Sequence, residues 1–254
     1  MEWNKRAKQA AAILFWVAVW QFAAMAIPQK FLLASPLETL EKLAGLVPTA
    51  AFWQRVSFSA LRILAGFFSA LAAGVVLAAA SAWLEPVRVL IRPLMQLIKA
   101  VPVASFIILA LLWVRSANLA VLISFLMVLP VVYTAVLEGI QQTDRQLLEM
   151  AQVFRIPFSR ALGAIWLPQV WPYFVQSCTV GMGLAWKSGI AAEVIGLPEG
   201  SLGEALYQAK IFLVTDEMFA WTLTVILASM AFEKLVMLVL RRLAARISGE
   251  EGRP

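Results

Sequence analysis

The chain has 254 residues, 62% of them hydrophobic and only 14% charged, with a formal net charge of +6. That apolar fraction exceeds what one soluble core of this length buries, which excludes a soluble globule and implies a polytopic membrane protein. No His and a single Cys, Cys178, exclude a disulfide framework, a His-ligated metal site and Ser-His or Cys-His catalysis within the chain.

The N-terminal segment MEWNKRAKQA is followed by AAILFWVAVWQFAAMAI, an apolar run longer than a signal-peptide core that ends at Pro28 without a small-x-small cleavage site. An uncleaved first transmembrane helix over about 10–27 is expected. Next, LASPLETLEKLAGLVPTAAFWQRV mixes apolar and charged residues near the helical period, with Ser35-Pro36 as start and Pro48 as stop. It predicts an amphipathic helix on the outer surface. Scanned with a ruler of about 20 apolar residues per crossing, the rest of the chain adds spans near 57–83, 88–113, 117–137, 163–189 and 217–240. Pro93, Lys99 and Pro102 interrupt the third span of the chain, 88–113, so a broken helix entering from the cytoplasm is expected there. The 57–83 span carries Gly66, Ala70, Ala73 and Gly74, a small-residue stripe suited equally to packing within the subunit and across a dimer. Cys178 sits among small and apolar residues and is expected to be a packed side chain. Between the last two spans, 196–217 holds Pro198, Gly200 and Gly203 and predicts a turn followed by a short helix outside.

Ten Trp and fifteen Phe suit interfacial anchoring. The basic residues bracket the apolar stretches instead of forming a nucleic-acid patch, despite a pI near 9.8. With the N-terminus inside, thirteen Lys and Arg fall on cytoplasmic flanks (5, 6, 8, 88, 92, 99, 145, 155, 160, 241, 242, 246, 253) against five outside: Lys30, Lys42, Arg55, Arg115 and Lys210. Both termini and the 138–162 loop are therefore expected to be cytoplasmic. The chain is expected to be one all-α transmembrane domain over 1–254, with a first helix and outer segment (1–50) preceding a core (51–245).

Within the inner loop, Leu147, Leu148, Ala151 and Phe154 recur at spacings of three and four, and Arg145, Glu149 and Gln152 occupy the other faces. This predicts a short helix over 144–154 with one apolar face for a partner's groove, ended by Arg155 and Pro157. The order Glu149, Met150, Ala151, a turn, then Ile165-x-Leu167-Pro168 resembles the EAA loop of ATP-binding-cassette importer permeases. Further landmarks are Ala34-Ser35-Pro36, SALRILAGFFSALAAGVVL at 59–77, KAVPVASF at 99–106 and AWKSGIAAEVIGLPEGSLGEALYQA at 185–209. Together they are similar to the nitrate, sulfonate and taurine branch.

The resemblance implies a type I (MetI-like) importer permease fold in a bacterial inner membrane, a second copy of the chain, two ATPase subunits and an extracytoplasmic solute-binding protein. It implies that Leu148, Glu149, Met150, Ala151, Phe154, Arg155, Pro157 and Pro168 form the ATPase-coupling element. Homodimer and heterodimer permeases both stay open. Met150 stands where the family has alanine, and Arg155 stands where it has glycine, so Ile156-Pro157 is expected to make the turn in place of a left-handed glycine. No phosphate-loop motif occurs, so the chain is not expected to be an enzyme or to hold a cofactor; ATP and Mg belong to the partner ATPase.

Ionisable groups at membrane depth usually face a partner or a cavity. Lys187 and Glu193 flank Gly189 beside Trp186, and an unwinding at Ser188-Gly189 is expected to turn both toward one cavity, where Lys187 attracts an anionic substrate group and Glu193 holds or releases it as the cavity alternates its opening. The alternatives are a mutual salt bridge or snorkelling. Trp113 is a further pathway candidate. Arg62 is expected to snorkel outward, and Glu233 and Lys234 to pack against another helix. A different class of function, a gradient-driven transporter or channel using Lys187, Glu193 and Glu233, predicts repeated halves, which the sequence lacks. An intramembrane enzyme would need a catalytic pair, and none stands at useful spacing. The substrate is left open among a sulfonate, nitrate and a small heterocycle.

Overall fold

The computed structural model describes residues 2–27 and 32–247, and every described element is helical. Pro28, Lys30 and Arg253, used above to end the first span and to count charges, lie outside the described residues. The order is α1 (Glu2–Ala26), α2 (Pro36–Leu46), α3 (Ala50–Trp83), α4 (Glu85–Ala100), α5 (Val103–Ala110), α6 (Ser116–Gln141), α7 (Arg145–Val153), α8 (Phe158–Ala161), a π-helical turn (Leu162–Trp166), α9 (Leu167–Gly196), α10 (Leu202–Ile211) and α11 (Thr215–Ile247).

Among the described residues α3, α6 and α11 are each long and apolar enough to cross a bilayer, and α4 with α5 makes a fourth, bent candidate. The 30-residue α9 is long enough but carries Lys187 and Glu193. The apolar part of α1 is Ala11–Ala26.

Local chemistry accounts for the helix ends. Ser35 caps α2 in a reciprocal box, its Oγ accepting from the Glu38 N–H while the Glu38 carboxylate accepts from the Ser35 N–H at 2.9 Å. The amphipathic segment is thus helical as expected, but it stops at Leu46. Thr49 then caps a fresh helix, so α3 begins at Ala50 and not near 57. The 88–113 segment is broken, as expected: α4 and α5 meet at 102°. Pro102 lacks an N–H and forces Val101 into extended backbone (φ −78°, ψ 131°), which ends α4, whereas Pro93 is accommodated inside it.

The core is a three-helix stack with α6 between α3 and α9. Ile123, Val128 and Val132 of α6 are completely buried, as are Ile63 and Phe67 of α3 and Ala185 of α9. The small-residue stripe of α3 lies inside this stack. A Cβ on Gly66 would overlap the Val121 carbonyl and stand 2.8 Å from the Ser124 Cβ, and one on Gly74 would stand 2.8 Å from Val132. The choice left open by the sequence falls to packing within the subunit. Cys178 is buried, as expected.

Polar contacts sort the helix ends into two groups. At one end Lys42 pairs with Glu217 and Arg55 with Glu204, each at 3.1 Å. At the other end the Arg88 Nε donates to the Ser81 carbonyl at 3.0 Å and Trp83 meets Phe158 edge-on.

Candidate functional site

The loop between α6 and α9 folds as a helix, a sharp turn and a second helix. Asp144 caps α7, its Oδ1 accepting from the Gln146 N–H at 2.8 Å, and its own N–H donates to Gln169 Oε1 at 2.9 Å. At the far end the Ile156 N–H reaches the Ala151 carbonyl (2.9 Å) and the Arg155 N–H the Gln152 carbonyl (3.0 Å), the paired bonds of a Schellman ending. Arg155 is left-handed at φ 51°. The expectation that Ile156-Pro157 would replace a left-handed residue is therefore corrected: Arg155 adopts that conformation itself, because the two bonds offset its steric cost of about 1–2 kcal/mol. Arg155→Gly is expected to raise the thermal stability of the loop, read as slower proteolysis at 155–160, without altering α7. Faster cleavage would contradict the strain at this position.

The apolar stripe of the loop is divided. Leu148 and Ala151 face the chain's own second helix, where Ala151, Ala161 and Ile165 are all buried and Leu148 and Ile156 pack around them. Phe154, expected on the same face, is 73% exposed, outside the cluster that the second helix makes with Leu148 and Ala151. The outward surface is instead Leu147, Glu149, Met150, Val153 and Phe154. Glu149 has no ion-pair partner among the described residues. A larger side chain at Met150 is tolerated since it points away from this packing. Pro157 precedes α8, and Pro168 follows the π-helical turn. Proline at 168 lacks an N–H and crowds the carbonyl one turn earlier, and a widened turn over Leu162–Trp166 accommodates both.

At membrane depth the expected unwinding at Ser188-Gly189 is absent. The α9 helix runs unbroken to Gly196, with the Ser188 Oγ bonded back to the Leu184 carbonyl at 2.8 Å. Gly189 serves close approach: a Cβ there would lie 2.6 Å from Ile63 Cγ1 and 2.8 Å from Ser124 Oγ. Lys187 and Glu193 are consequently not brought together. Lys187 is exposed on a face shared with Gln176, Val180, Gly183 and Leu184. Glu193 is fully buried on another face, where its Oε2 accepts from Ser59 Oγ at 2.7 Å and from the Gly203 N–H at 3.2 Å. Trp186 is also buried, packed on Phe232 with ring centroids 5.7 Å apart, and so forms no wall beside Lys187. Trp113 stands exposed in the turn after α5.

Arg62, half-buried, reaches the first turn of α6. Its Nε donates to the Ala117 carbonyl and its guanidinium lies 3.5 Å from the centre of the Phe58 ring. Glu233 is half-buried on α11 and Lys234 is exposed. Three residues with clear structural partners have no role legible from sequence spacing alone: Ser59, Gln169 and Gly203. A signal close to the last is present, since Ser201-x-x-Glu204 carries the helix-start pattern that α10 uses, with the Glu204 N–H on Ser201 Oγ at 3.0 Å.

Residues 70–249 match the family described as binding-protein-dependent transport system inner membrane component. Among curated proteins, the taurine transport system permease protein of Escherichia coli is 26% identical over 92% of this chain and 85% of its own length. A putative aliphatic sulfonates transport permease protein of Bacillus subtilis is 21% identical over 93% and 86%. The bicarbonate transport system permease protein of Synechococcus elongatus is 24% identical over 73% and 70%.

Proposed function

Because the chain belongs to the binding-protein-dependent transport system inner membrane component family, we propose that its α7 surface docks a cytoplasmic ATPase and that the Lys187 face of α9 lines the route of an anionic solute. The chain is a multi-pass inner-membrane permease subunit of an ATP-binding-cassette importer. It hydrolyses no ATP itself, and its partners are an ATPase and a solute-binding protein.

The observation that carries the docking assignment is the outward surface of α7. Glu149 projects between exposed apolar side chains, on a helix braced from behind by Ala151 against Ile165. A rigid helix with an acidic centre and an apolar rim suits insertion into a cleft of a partner. Arg145, Arg155 and Arg160 around it agree with a cytoplasmic position for this loop and for both termini. We take the working assembly to be two copies of the chain with two ATPase subunits, the 1–50 segment and the 51–245 core forming one transmembrane unit in each copy. Weighing the intact complex after mild extraction tests this stoichiometry. Two copies of the chain and two ATPases are expected, and a second, different permease in place of one copy would replace the homodimer by a heterodimer.

For the route, a lysine exposed at membrane depth is unfavourable against lipid and favourable in a hydrated passage. Gln176 and the open Gly183, whose added Cβ would meet nothing within 4 Å, share its face. The relatives named for taurine, aliphatic sulfonates and bicarbonate share an anionic oxygen group on their named substrates. Lys187→Gln is expected to lower ATP-driven uptake of a labelled sulfonate about tenfold, equivalent to about 1.4 kcal/mol, with Lys187→Arg near native. Equal uptake by all three chains would remove Lys187 from the route.

A further inference from the structure

The short surface helices at the two ends of the bundle are both held at their N-termini by side chains of α9. At the outer end, the first three N–H groups of α10, which have no acceptor within the helix, all find side-chain oxygens. Leu202 donates to Ser59 Oγ (2.9 Å), Gly203 to Glu193 Oε2 (3.2 Å) and Glu204 to Ser201 Oγ (3.0 Å). Ser59 in turn donates to Glu193, so one buried carboxylate joins α3, α9 and α10. Gly203 is pressed so closely on Glu193 that no Cβ fits there. Arg55 of α3 adds bonds to the Ser201 carbonyl (3.2 Å) and to Glu204. At the inner end, Gln169 of the same α9 accepts from the N–H of Asp144, the residue that caps α7, and Ile165 just before α9 packs on Ala151.

Between these points α9 is continuous, with Pro172 accommodated inside it, and spans about 36 Å from Gln169 to Glu193 at 1.5 Å per residue. We propose that Glu193 and Gln169 are positioning residues that make α9 a rod between the outer helix α10 and the coupling helix α7. The proposal rests on the importer reading above. Binding-protein contact at the outer end and ATPase movement at the inner end then bias one rigid element, which is what coupling between distant sites requires. The tip of α10 is available for such contact, with Lys210, Ile211, Phe212 and Leu213 all exposed at the end of the bundle opposite α7. A Gln at 193 keeps an oxygen for both Ser59 and Gly203, whereas an Ala leaves two buried donors without an acceptor.

The test uses the whole complex of permease, ATPase and binding protein in lipid nanodiscs, with ATP hydrolysis read with and without binding protein. Glu193→Ala is expected to lower the stimulated-to-basal ratio about tenfold with no shift in the half-stimulating binding-protein concentration, and Glu193→Gln to restore it. Gln169→Ala is expected to act in the same direction, and the double Ala variant to be no worse than the weaker single. A purely structural role would reduce basal and stimulated rates together. That result would overturn the proposal, as would native ratios in both single variants, multiplying losses in the double, or a change confined to the half-stimulating concentration. If Glu193→Ala does not assemble, Ser59→Ala, which removes the donor to the carboxylate and the acceptor of the Leu202 N–H but leaves the carboxylate on Gly203, carries the same expectation with Gln169→Ala. Failure of the importer reading looks different: the native complex itself would lack ATPase or ignore the binding protein.

Discussion

A Glu149→Lys chain is expected to reach the membrane and fold as the native chain does, and to be recovered without its ATPase. Glu149 is exposed, lies inside α7 away from both caps and has no ion-pair partner among the described residues, so reversing its charge leaves the fold nearly untouched. Surface substitutions of this kind stay within about 0.5 kcal/mol. The docking surface changes far more. With Arg145, Arg155 and Arg160 nearby, α7 itself would carry only positive charge where the proposed docking offers an acid, and an interfacial charge left without its partner costs about 2–5 kcal/mol or more. That range corresponds to a weakening from about thirtyfold to several thousandfold. Mass of the intact complex, with elution volume and yield as folding controls, decides the matter. Retention of the native amount of ATPase by a well-folded Glu149→Lys chain would place the docking surface elsewhere. Ala151→Leu, by contrast, acts from behind, since Ala151 is 6% exposed and any larger side chain there pushes α7 off Ile165.

The second large effect concerns the fold. Gly66→Ala is expected to depress the yield of monodisperse protein severalfold, and Gly66→Leu to abolish it. The atom in the way is a backbone carbonyl, that of Val121, which no rotamer change can move. The α3 and α6 helices would have to separate, losing packing along the length of the most buried part of the bundle, at about 1–3 kcal/mol for the smaller substitution. Gly45→Ala supplies the contrast, because nothing lies within 4 Å of a Cβ there and alanine is the better helix former. Comparing melting temperatures of the two alanine variants in one detergent checks the argument. Equal values would mean that α3 and α6 separate without loss and that the close approach at Gly66 has no energetic weight.

Much of the inner loop is legible in the amino-acid sequence. The apolar spacing over 144–154, Pro157 as stop and the spacing from Glu149 to Pro168 are local features, and they locate α7 and the helix after it. The division of its apolar stripe is not legible, because 3.6-residue periodicity states that Leu148, Ala151 and Phe154 share a side without stating which body covers it. The chain's own α8 and π-helical turn cover Leu148 and Ala151, leaving Phe154 to solvent. Arg155 likewise takes a conformation that its residue type disfavours, since two backbone bonds to residues of the preceding turn hold it there.

By itself the sequence determined the membrane class, the long apolar helices α3, α6 and α11, the amphipathic helix at Ser35-Pro36, the short helix after Pro198 and the helix-turn-helix between α6 and α9. Each follows from transfer of apolar segments out of water, or from caps and prolines that act within one turn of chain. Tertiary structure alone decided that Glu193 is buried against Ser59 and the start of α10 while Lys187 faces outward, that Gly66 and Gly74 serve contact within the subunit, and that Arg62 reaches the Ala117 carbonyl. Those outcomes depend on how far each helix is rotated and how deep it sits against its neighbours. Six residues on one helix separate Lys187 from Glu193 by more than one and a half turns, and only the packing of α3, α6 and α10 around α9 specifies which finds a partner and which is left exposed.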